Sequence, residues 1–504
     1  MNLASQIIAT LTTDPALPAL TLLDNAGTPS ETHSRADLIE RTGAWSTAIR
    51  MSGIIPGQPV AVALARDIDL AAVHIAAMAS GTPVVPINTS LAARELRNLL
   101  AAAKPALVIA TPEFAKKHRE AAHASACTWF LTGESALAYD EPFSLPDLSS
   151  IGALSACPTR DNDAALMLFT SGTTGNAKSV PLSHANLARN LAALAVAWGR
   201  NADDRVLHML PAHHFHGLVL ALYGSLIAGS EIFLLPRFDA RAALGAIPRA
   251  HCNLVMGVPT MYARMIDAAQ DDDDLSGLRT AVSGSAPLAP KTWHAFNERF
   301  GVALIERYGL TETCIVATNP LDAPRAGSVG IALSDTDVAL HTDGSYAEGA
   351  GARGEICVRS PSVTSGYGND EQANADAFSN GWFHTGDLGR IDDDGYLWID
   401  GRLKELIIVG GSNVIPGEIE RVFDRIDGIG ELAVRGAPDD DLGEVVAAFV
   451  VTSRNDTDNV ESEMRAVADA SLTGYKRPRR YVFLNALPRN AMGKIDSKAL
   501  SDAL

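Results

Sequence analysis

Leu166-Met167-Leu168-Phe169-Thr170-Ser171-Gly172-Thr173-Thr174-Gly175-Asn176-Ala177-Lys178-Ser179 is the stretch that decides how the rest of the chain is read. The apolar run 166–169 is short and bounded by small polar residues, which is the pattern of a buried strand. It empties into residues 170–175, where Gly172 and Gly175 free the backbone and Thr170, Ser171, Thr173 and Thr174 offer hydroxyls. Lys178 follows within reach of whatever this loop surrounds. Backbone N–H groups, hydroxyls and a single cation together suit a polyphosphate. A P-loop kinase or ATPase needs Gly, four residues and then Gly-Lys-Ser/Thr, but here Ala177 precedes the lysine, so that motif fails. A plain Ser/Gly/Thr surface loop would account for the composition, though not for a lysine behind a buried strand.

The chain has 504 residues, enough for more than one domain and for large cores. Its 47% hydrophobic and 20% charged residues are ordinary for a globular enzyme. A net charge of −18 argues against nucleic acid or an anionic membrane as partner, because the summed field repels phosphates. An anionic substrate must therefore be met by local cations. The five cysteines, Cys127, Cys157, Cys252, Cys314 and Cys357, are sparse and lack metal-type spacing. That usage fits free thiols in a reducing, cytoplasmic setting. No basic segment precedes the first apolar residues and no apolar run reaches membrane-spanning length, so neither a signal peptide nor a span is expected.

Up to about residue 160, helical and strand patterns alternate. Ser34 caps an expected helix to about Met51, with Asp37 at the capping-box position. Strands are expected at 59–64, 84–87 and 106–110, and helices at 69–79 and from Ala92. This alternation implies a wound parallel sheet. Beyond the loop, further strands are expected at 204–211, 232–235 and 281–283. The last hundred residues read as a small α+β domain, with strands at 431–436 and 445–451 and a helix to about Leu472.

Several later segments carry chemistry of their own. In Glu306-Arg307-Tyr308-Gly309-Leu310-Thr311-Glu312-Thr313, Tyr308 can stack on a base, Thr311 can donate to a phosphate, and Glu312 can hold Mg²⁺. In Trp382-Phe383-His384-Thr385-Gly386-Asp387, a carboxylate on a glycine turn can take both ribose hydroxyls. Arg237, after the strand at 232–235, is either a solvated surface residue or a bidentate partner for a second substrate carboxylate. The basic run 476–480, beginning at Lys476, is either a solvated turn or an attractor for phosphate groups. Three histidines in His213-His214-Phe215-His216 invite a metal reading, but their spacing does not converge them. Cys314 has no local base to lower its pKa and reads as a small buried wall residue.

Taken together, these motifs resemble the adenylate-forming superfamily of acyl-CoA synthetases, luciferases and nonribosomal adenylation domains, along nearly the whole chain. The family loop is close to T-S-G-T-T-G-x-P-K-G-V; this chain carries Ala177 and Ser179 where Pro and Gly are usual, and keeps the lysine. His214-Phe215-His216-Gly217, Arg237, Ser283-Gly284-Ser285-Ala286 and Glu306-Arg307-Tyr308 look most like the malonyl-CoA and oxalyl-CoA synthetase branch. The resemblance implies a large α/β N-terminal domain with wound sheets, residues 1–402, and a small mobile α+β domain, residues 403–504, with a hinge near Lys404. It also implies ATP, Mg²⁺ and coenzyme A as cofactors, a small carboxylic acid as substrate, and a monomer or homodimer.

The implied roles follow position by position. Residues 170–175 and Lys178 hold the phosphates, with Ser171 beside the Mg²⁺ that Glu312 binds. Gly284, Ser285, Ala286 and Pro287 line the adenine, together with Tyr308 and Gly309. Asp387 and Arg402 take the ribose. His214 gates the acyl pocket, which His216, Arg237, Gly309 and Cys314 line. Thr311 and Lys494 act on the carboxylate and α-phosphate. Gly410 and Gly411 arrive for thioester formation after the small domain rotates, and Lys476 serves coenzyme A. One departure bears on the substrate: after Glu312 this chain reads Thr313-Cys314-Ile315-Val316-Ala317, more apolar than the dicarboxylate-activating enzymes. That leaves a small aryl, heteroaryl or short aliphatic acid open, as well as an enzyme that loads a carrier protein in place of coenzyme A.

Overall fold

The alanine-rich helix Ile68–Ala79 is buried along its whole length from Leu70 to Ala79. A helix that is apolar all round must be covered on every side, and here the helices Leu3–Thr12 and Arg35–Met51 share that cover with two sheets. A single core unites Ala72, Ile75 and Ala76 of this helix with Leu20, Val206 and Ile232 of one sheet and Val60, Val84 and Leu107 of the other. The computed structural model describes residues 2–125, 127–132, 143–144, 146, 148, 159–171, 177–368, 370–424, 426–489 and 495–504. They form two compact units. The first comprises Met1–Ala326, Gly330–Asp337 and Val358–Phe383; the second comprises Gly327–Val329, Val338–Cys357 and His384–Leu504.

In the first unit, one sheet runs in the order Ile331–Ala332, Cys314–Thr318, Leu304–Leu310, Thr280–Ser283, Leu254–Gly257, Arg205–His208, Glu231–Leu234, Pro18–Leu23 and Pro29–Ser34. From Leu304–Leu310 to Pro18–Leu23 neighbouring strands are parallel. The other sheet orders Phe143–Ser144, Thr128–Leu131, Leu107–Ala110, Val60–Ala63, Val84–Pro86, Ala164–Ser171 and Ala177–Ser183. Strands alternating with helices thus build wound sheets, as the sequence pattern predicts. The expected cap is also present: Asp37 N–H donates to Ser34 Oγ at 3.1 Å, and Ser34 N–H donates to Asp37 Oδ2 at 2.8 Å. Among the described residues no helix is long and apolar enough to cross a membrane.

The second unit is α+β. Strands Ser345–Ala347, Asp337–Thr342, Arg353–Arg359, Trp382–Ile391 and Leu397–Arg402 lie side by side. A further sheet joins the hairpin Ile407–Val409 and Ser412–Val414 to the long antiparallel pair Ile429–Asp439 and Gly443–Thr452, with Arg480–Phe483 parallel to the latter. Helices Pro416–Phe423 and Thr457–Ser471 close one face through Ile419, Phe423, Val460 and Met464.

Candidate active site

Sequence reasoning places a loop after an isolated strand, whereas the structure makes that strand half of a hairpin. Ala164–Ser171 pairs antiparallel with Ala177–Ser183, setting Thr170 opposite Lys178 and Ser171 opposite Ala177. The loop is therefore held at both ends. Gly172, Thr173, Thr174 and Gly175, with the Ser171 side chain, lie outside the described residues, and so does Lys494. Lys178 Nζ sits 4.9 Å from the centre of the Tyr367 ring, a cation–π contact. Tyr367 Oη in turn donates to Glu312 Oε1 at 3.0 Å. Burial and the adjacent Glu312 charge push the Tyr367 hydroxyl above its ordinary range, which keeps it a donor. A cation, a phenol and a carboxylate thus meet in one place, although they come from three distant parts of the chain.

Glu312 stands at a tight turn. Leu304–Leu310 and Cys314–Thr318 form a hairpin in which Leu310 pairs with Cys314, leaving Thr311, Glu312 and Thr313 as the connection. Thr313 Oγ1 accepts from Leu310 N–H at 3.0 Å and donates to the Cys314 carbonyl at 3.1 Å. Cys314 takes φ +55° to close the turn. The strand that follows is fixed by Asn190, which donates to the Ile315 carbonyl at 2.8 Å and accepts from Ile315 N–H at 3.1 Å. Gly309 is obligatory here, because an added Cβ would lie 2.0 Å from the Cys314 carbonyl oxygen. The donor set suits Mg²⁺: Glu312 offers hard carboxylate oxygens, oriented by Tyr367, beside the hairpin that carries Lys178. Burial pushes the Cys314 thiol far above its ordinary range, so it is no nucleophile.

A second cluster in this unit gathers His216, Ser285 and Arg307. His216 opens the π-helix His216–Tyr223 and is 3% exposed. Its Nδ1 lies 3.4 Å from Ser285 Oγ, to which Arg307 Nη2 donates at 3.1 Å. Arg307 is 6% exposed, and its Nε has no hydrogen-bond partner among the described residues. Burial alone lowers it, to about 10. Among the described residues no carboxylate offsets that. Gly284 makes the arrangement possible, since a Cβ there would fall 2.4 Å from Arg307 Nε. Burial, then the charge of Arg307, holds His216 well below its ordinary value, so it is a neutral imidazole.

The rings of His213 and His214 lie tilted at 58° with centroids 4.2 Å apart, and His213 is lowered to about 3 by burial, His214 and Arg66. Arg66 Nη1 donates to the Leu210 carbonyl at 3.0 Å. Glu306, beside Arg307 in sequence, is buried and raised to about 8. Arg237, by contrast, is exposed in the loop after Glu231–Leu234. Of Arg237 and Arg307, Arg307 is the buried one. Motif reading quoted Arg307 without giving it a role and missed Tyr367; the signal for the first was an arginine inside an otherwise buried strand.

In the second unit, Asp387 and Arg402 are cross-strand neighbours, with Arg402 Nε 2.8 Å from Asp387 Oδ1. Gly386 takes φ +71° to present Asp387, and its N–H donates to Glu355 Oε1 at 3.0 Å. Asp387 N–H donates to Thr385 Oγ1 at 3.1 Å. Lys404 is exposed in the turn Leu403–Glu405. Gly410 and Gly411, at φ +54° and +82°, make the two-residue turn between Ile407–Val409 and Ser412–Val414. Lys476 Nζ is held by both oxygens of Glu418 at 2.7 Å, a firmer attachment than a free phosphate-seeking lysine would have.

The hairpin carrying Lys178, the turn carrying Glu312 and the cross-strand pair of Asp387 and Arg402 are the features to set against known proteins. Residues 10–368 match the family model described as AMP-binding enzyme, and 418–494 match that of the AMP-binding enzyme C-terminal domain. The chain belongs to the AMP-binding enzyme family. Its relatives include an indoleacetate–CoA ligase of Aromatoleum aromaticum, 36% identical over 91% of this chain and 90% of that protein. Another is an oxalate–CoA ligase of Arabidopsis thaliana, 32% identical over 93% of each. Among solved structures, ATP-bound MatB from Rhodopseudomonas palustris superposes with a TM-score of 0.89 at 32% identity, covering 100% of this chain and 99% of that one. This family member is an ATP-dependent acid–CoA ligase with the two-domain fold of its relatives, a large α/β domain followed by a small α+β domain.

Proposed function

We propose that the enzyme activates a small acid bearing a second negative charge, a dicarboxylate of the malonate or oxalate kind. The observation that carries this reading is Arg307, a buried guanidinium with an unpaired Nε and no carboxylate partner among the described residues. A lone buried charge is costly to maintain unless a ligand supplies its counterion. Ser285 and neutral His216 add a hydroxyl and an imidazole to the same place. The oxalate–CoA ligase relative supports the same acid class.

In the reaction we assign, the substrate carboxylate attacks the α-phosphorus of ATP and expels pyrophosphate, leaving an acyl-adenylate. Lys178 and the loop 170–175 hold the phosphates, Thr311 donates to the α-phosphate, and Lys494 neutralises the carboxylate and phosphate as they approach. Mg²⁺ held by Glu312 would supply charge neutralisation at the phosphates. Such transfers depend on positioning and electrostatics more than on covalent help from the protein. Asp387 and Arg402 orient the ribose, and residues 284–287 with Tyr308 receive the adenine. The thiol of coenzyme A then attacks the adenylate, with the hinge at Lys404 allowing Lys494 to leave and Gly410-Gly411 to arrive. The enzyme works in the cytoplasm, a reading supported by free Cys127, Cys252, Cys314 and Cys357.

The wall Cys314–Thr318 is buried and apolar, which favours a second reading, a small aryl or heteroaryl monocarboxylate. Pyrophosphate release with malonate, oxalate, benzoate, furoate and hexanoate, each with and without coenzyme A, separates the two. Highest kcat/KM with malonate or oxalate is expected. Preference for benzoate or furoate would replace the dicarboxylate reading, and turnover without coenzyme A would replace the acceptor.

A further inference from the structure

Within the second unit, three adjacent strands bring together side chains that neither the nucleotide chemistry nor the acid needs. His341 lies on Asp337–Thr342, Glu355 on Arg353–Arg359 and His384 on Trp382–Ile391, strands that neighbour one another in that order. One ligand atom from each lies within 4.8 Å of the others. His384 Nδ1 is 2.7 Å from Glu355 Oε2, and His341 Nδ1 is 4.0 Å from that same oxygen. The longer distance is beyond a hydrogen bond. The imidazole rings of His341 and His384 meet edge to face, with centroids 5.2 Å apart.

We propose that His341, Glu355 and His384 form a binding site for Zn²⁺, separate from the Mg²⁺ that accompanies ATP. Two imidazoles and one carboxylate match zinc and suit magnesium poorly, since magnesium prefers all-oxygen coordination. Zn–N and Zn–O bonds of about 2.0–2.2 Å require tetrahedral donors to stand roughly 3.3 Å apart. The separations of 2.7 and 4.0 Å bracket that value, so small side-chain shifts suffice.

The surroundings are arranged as such a site requires. His384 Nε2 lies 2.9 Å from Tyr346 Oη, so when Nδ1 is the metal ligand the Nε2–H has an acceptor that fixes the ring. Gly386 N–H occupies Glu355 Oε1 and leaves Oε2 turned toward the histidines. Buried Cys357 Sγ, 3.5 Å from His384 Nδ1, stands beside the fourth position, which it or water can fill. Donors on three paired strands are held more rigidly than donors on loops.

The test is a Zn²⁺ titration of the full-length protein in Mg²⁺-containing buffer against a chromophoric chelator, with Co²⁺ absorption as a reporter of coordination geometry. Wild type is expected to take up one equivalent at this site and to give an intense visible Co²⁺ band. His341→Ala is expected to weaken binding about tenfold or more and to lose the band. Glu355→Gln, which keeps an oxygen for Gly386, should do the same and serves if His341→Ala melts at a lower temperature than wild type. Binding in the two variants within threefold of wild type, or no binding by wild type, would overturn the proposal.

Discussion

Arg307 Nη2 stands 3.1 Å from Ser285 Oγ, on the side where Gly284 withholds a side chain. Gly284→Ala would place a methyl 2.4 Å from Arg307 Nε and force the guanidinium aside. We expect KM for the acid to rise about tenfold, the size of one misplaced charged contact. KM for ATP, whose adenine is assigned to the same segment, should rise less than KM for the acid. Steady-state kinetics with each substrate varied in turn would show it; an equal rise in both constants would count against Arg307 as the acid's partner.

Gly309→Ala is a different kind of change. Its methyl would meet the backbone carbonyl of Cys314 at 2.0 Å, and backbone inside a paired hairpin cannot swing away. A loss of about 3 kcal/mol or more is expected, as for a forced overlap in a core. Denaturant unfolding would measure it, and a loss below about 1 kcal/mol would mean that the hairpin yields.

These two positions show how far the sequence could be read. Periodicity located the strands at Val60–Ala63, Leu107–Ala110 and Thr280–Ser283 and the helices Arg35–Met51 and Ile68–Ala79, because both faces of a wound sheet impose strong patterns. The pairing of Lys178 opposite Thr170 was not legible, since a hairpin register depends on the partner strand as well as on the run itself. Tyr367 escaped notice because no local pattern announces a residue whose partners, Lys178 and Glu312, lie far away in the chain. Arg237 drew attention by its place at a strand end, a position that in the fold is exposed. Glu306-Arg307 sits in a buried strand, yet sequence alone does not say which of two adjacent charges faces a pocket.

Tyr367→Phe removes the donor to Glu312 and keeps the ring beneath Lys178. A hydrogen bond to a charged group contributes about 1.5–3 kcal/mol. We therefore expect kcat/KM for MgATP to fall about tenfold or more, with a higher Mg²⁺ requirement and a melting temperature lowered by a few degrees at most. Unaltered Mg²⁺ dependence would remove Tyr367 from the site.

Acid should unfold this protein early. Burial lowers His74 to about 3, His208 to about 4, His213 to about 3 and His184 to about 4, each from an ordinary value of 6.5. Between pH 6.5 and 4 the unfolded chain binds more protons than the folded one, so stability present above pH 6.5 falls as pH is lowered. Unfolding free energies at pH 7.5, 6 and 5 are expected to decline in that order; a flat profile would contradict neutral buried imidazoles.

Lys494→Ala should abolish pyrophosphate release and largely spare thioester formation from supplied acyl-adenylate. Half-reaction assays separate the two steps. Equal loss in both would contradict the assignment of Lys494 to the first.

On the proposed reading, Arg307, which has no carboxylate partner among the described residues, would give the acid a second role. The substrate completes the electrostatics of the resting enzyme, so thermal protection and selectivity report the same interaction. On the proposed dicarboxylate reading, a dianion would act partly as a structural ion, steadying the hairpin that carries Glu312 before ATP arrives. Ranking acids by how far they raise the melting temperature of the nucleotide-free protein would rank them as substrates too.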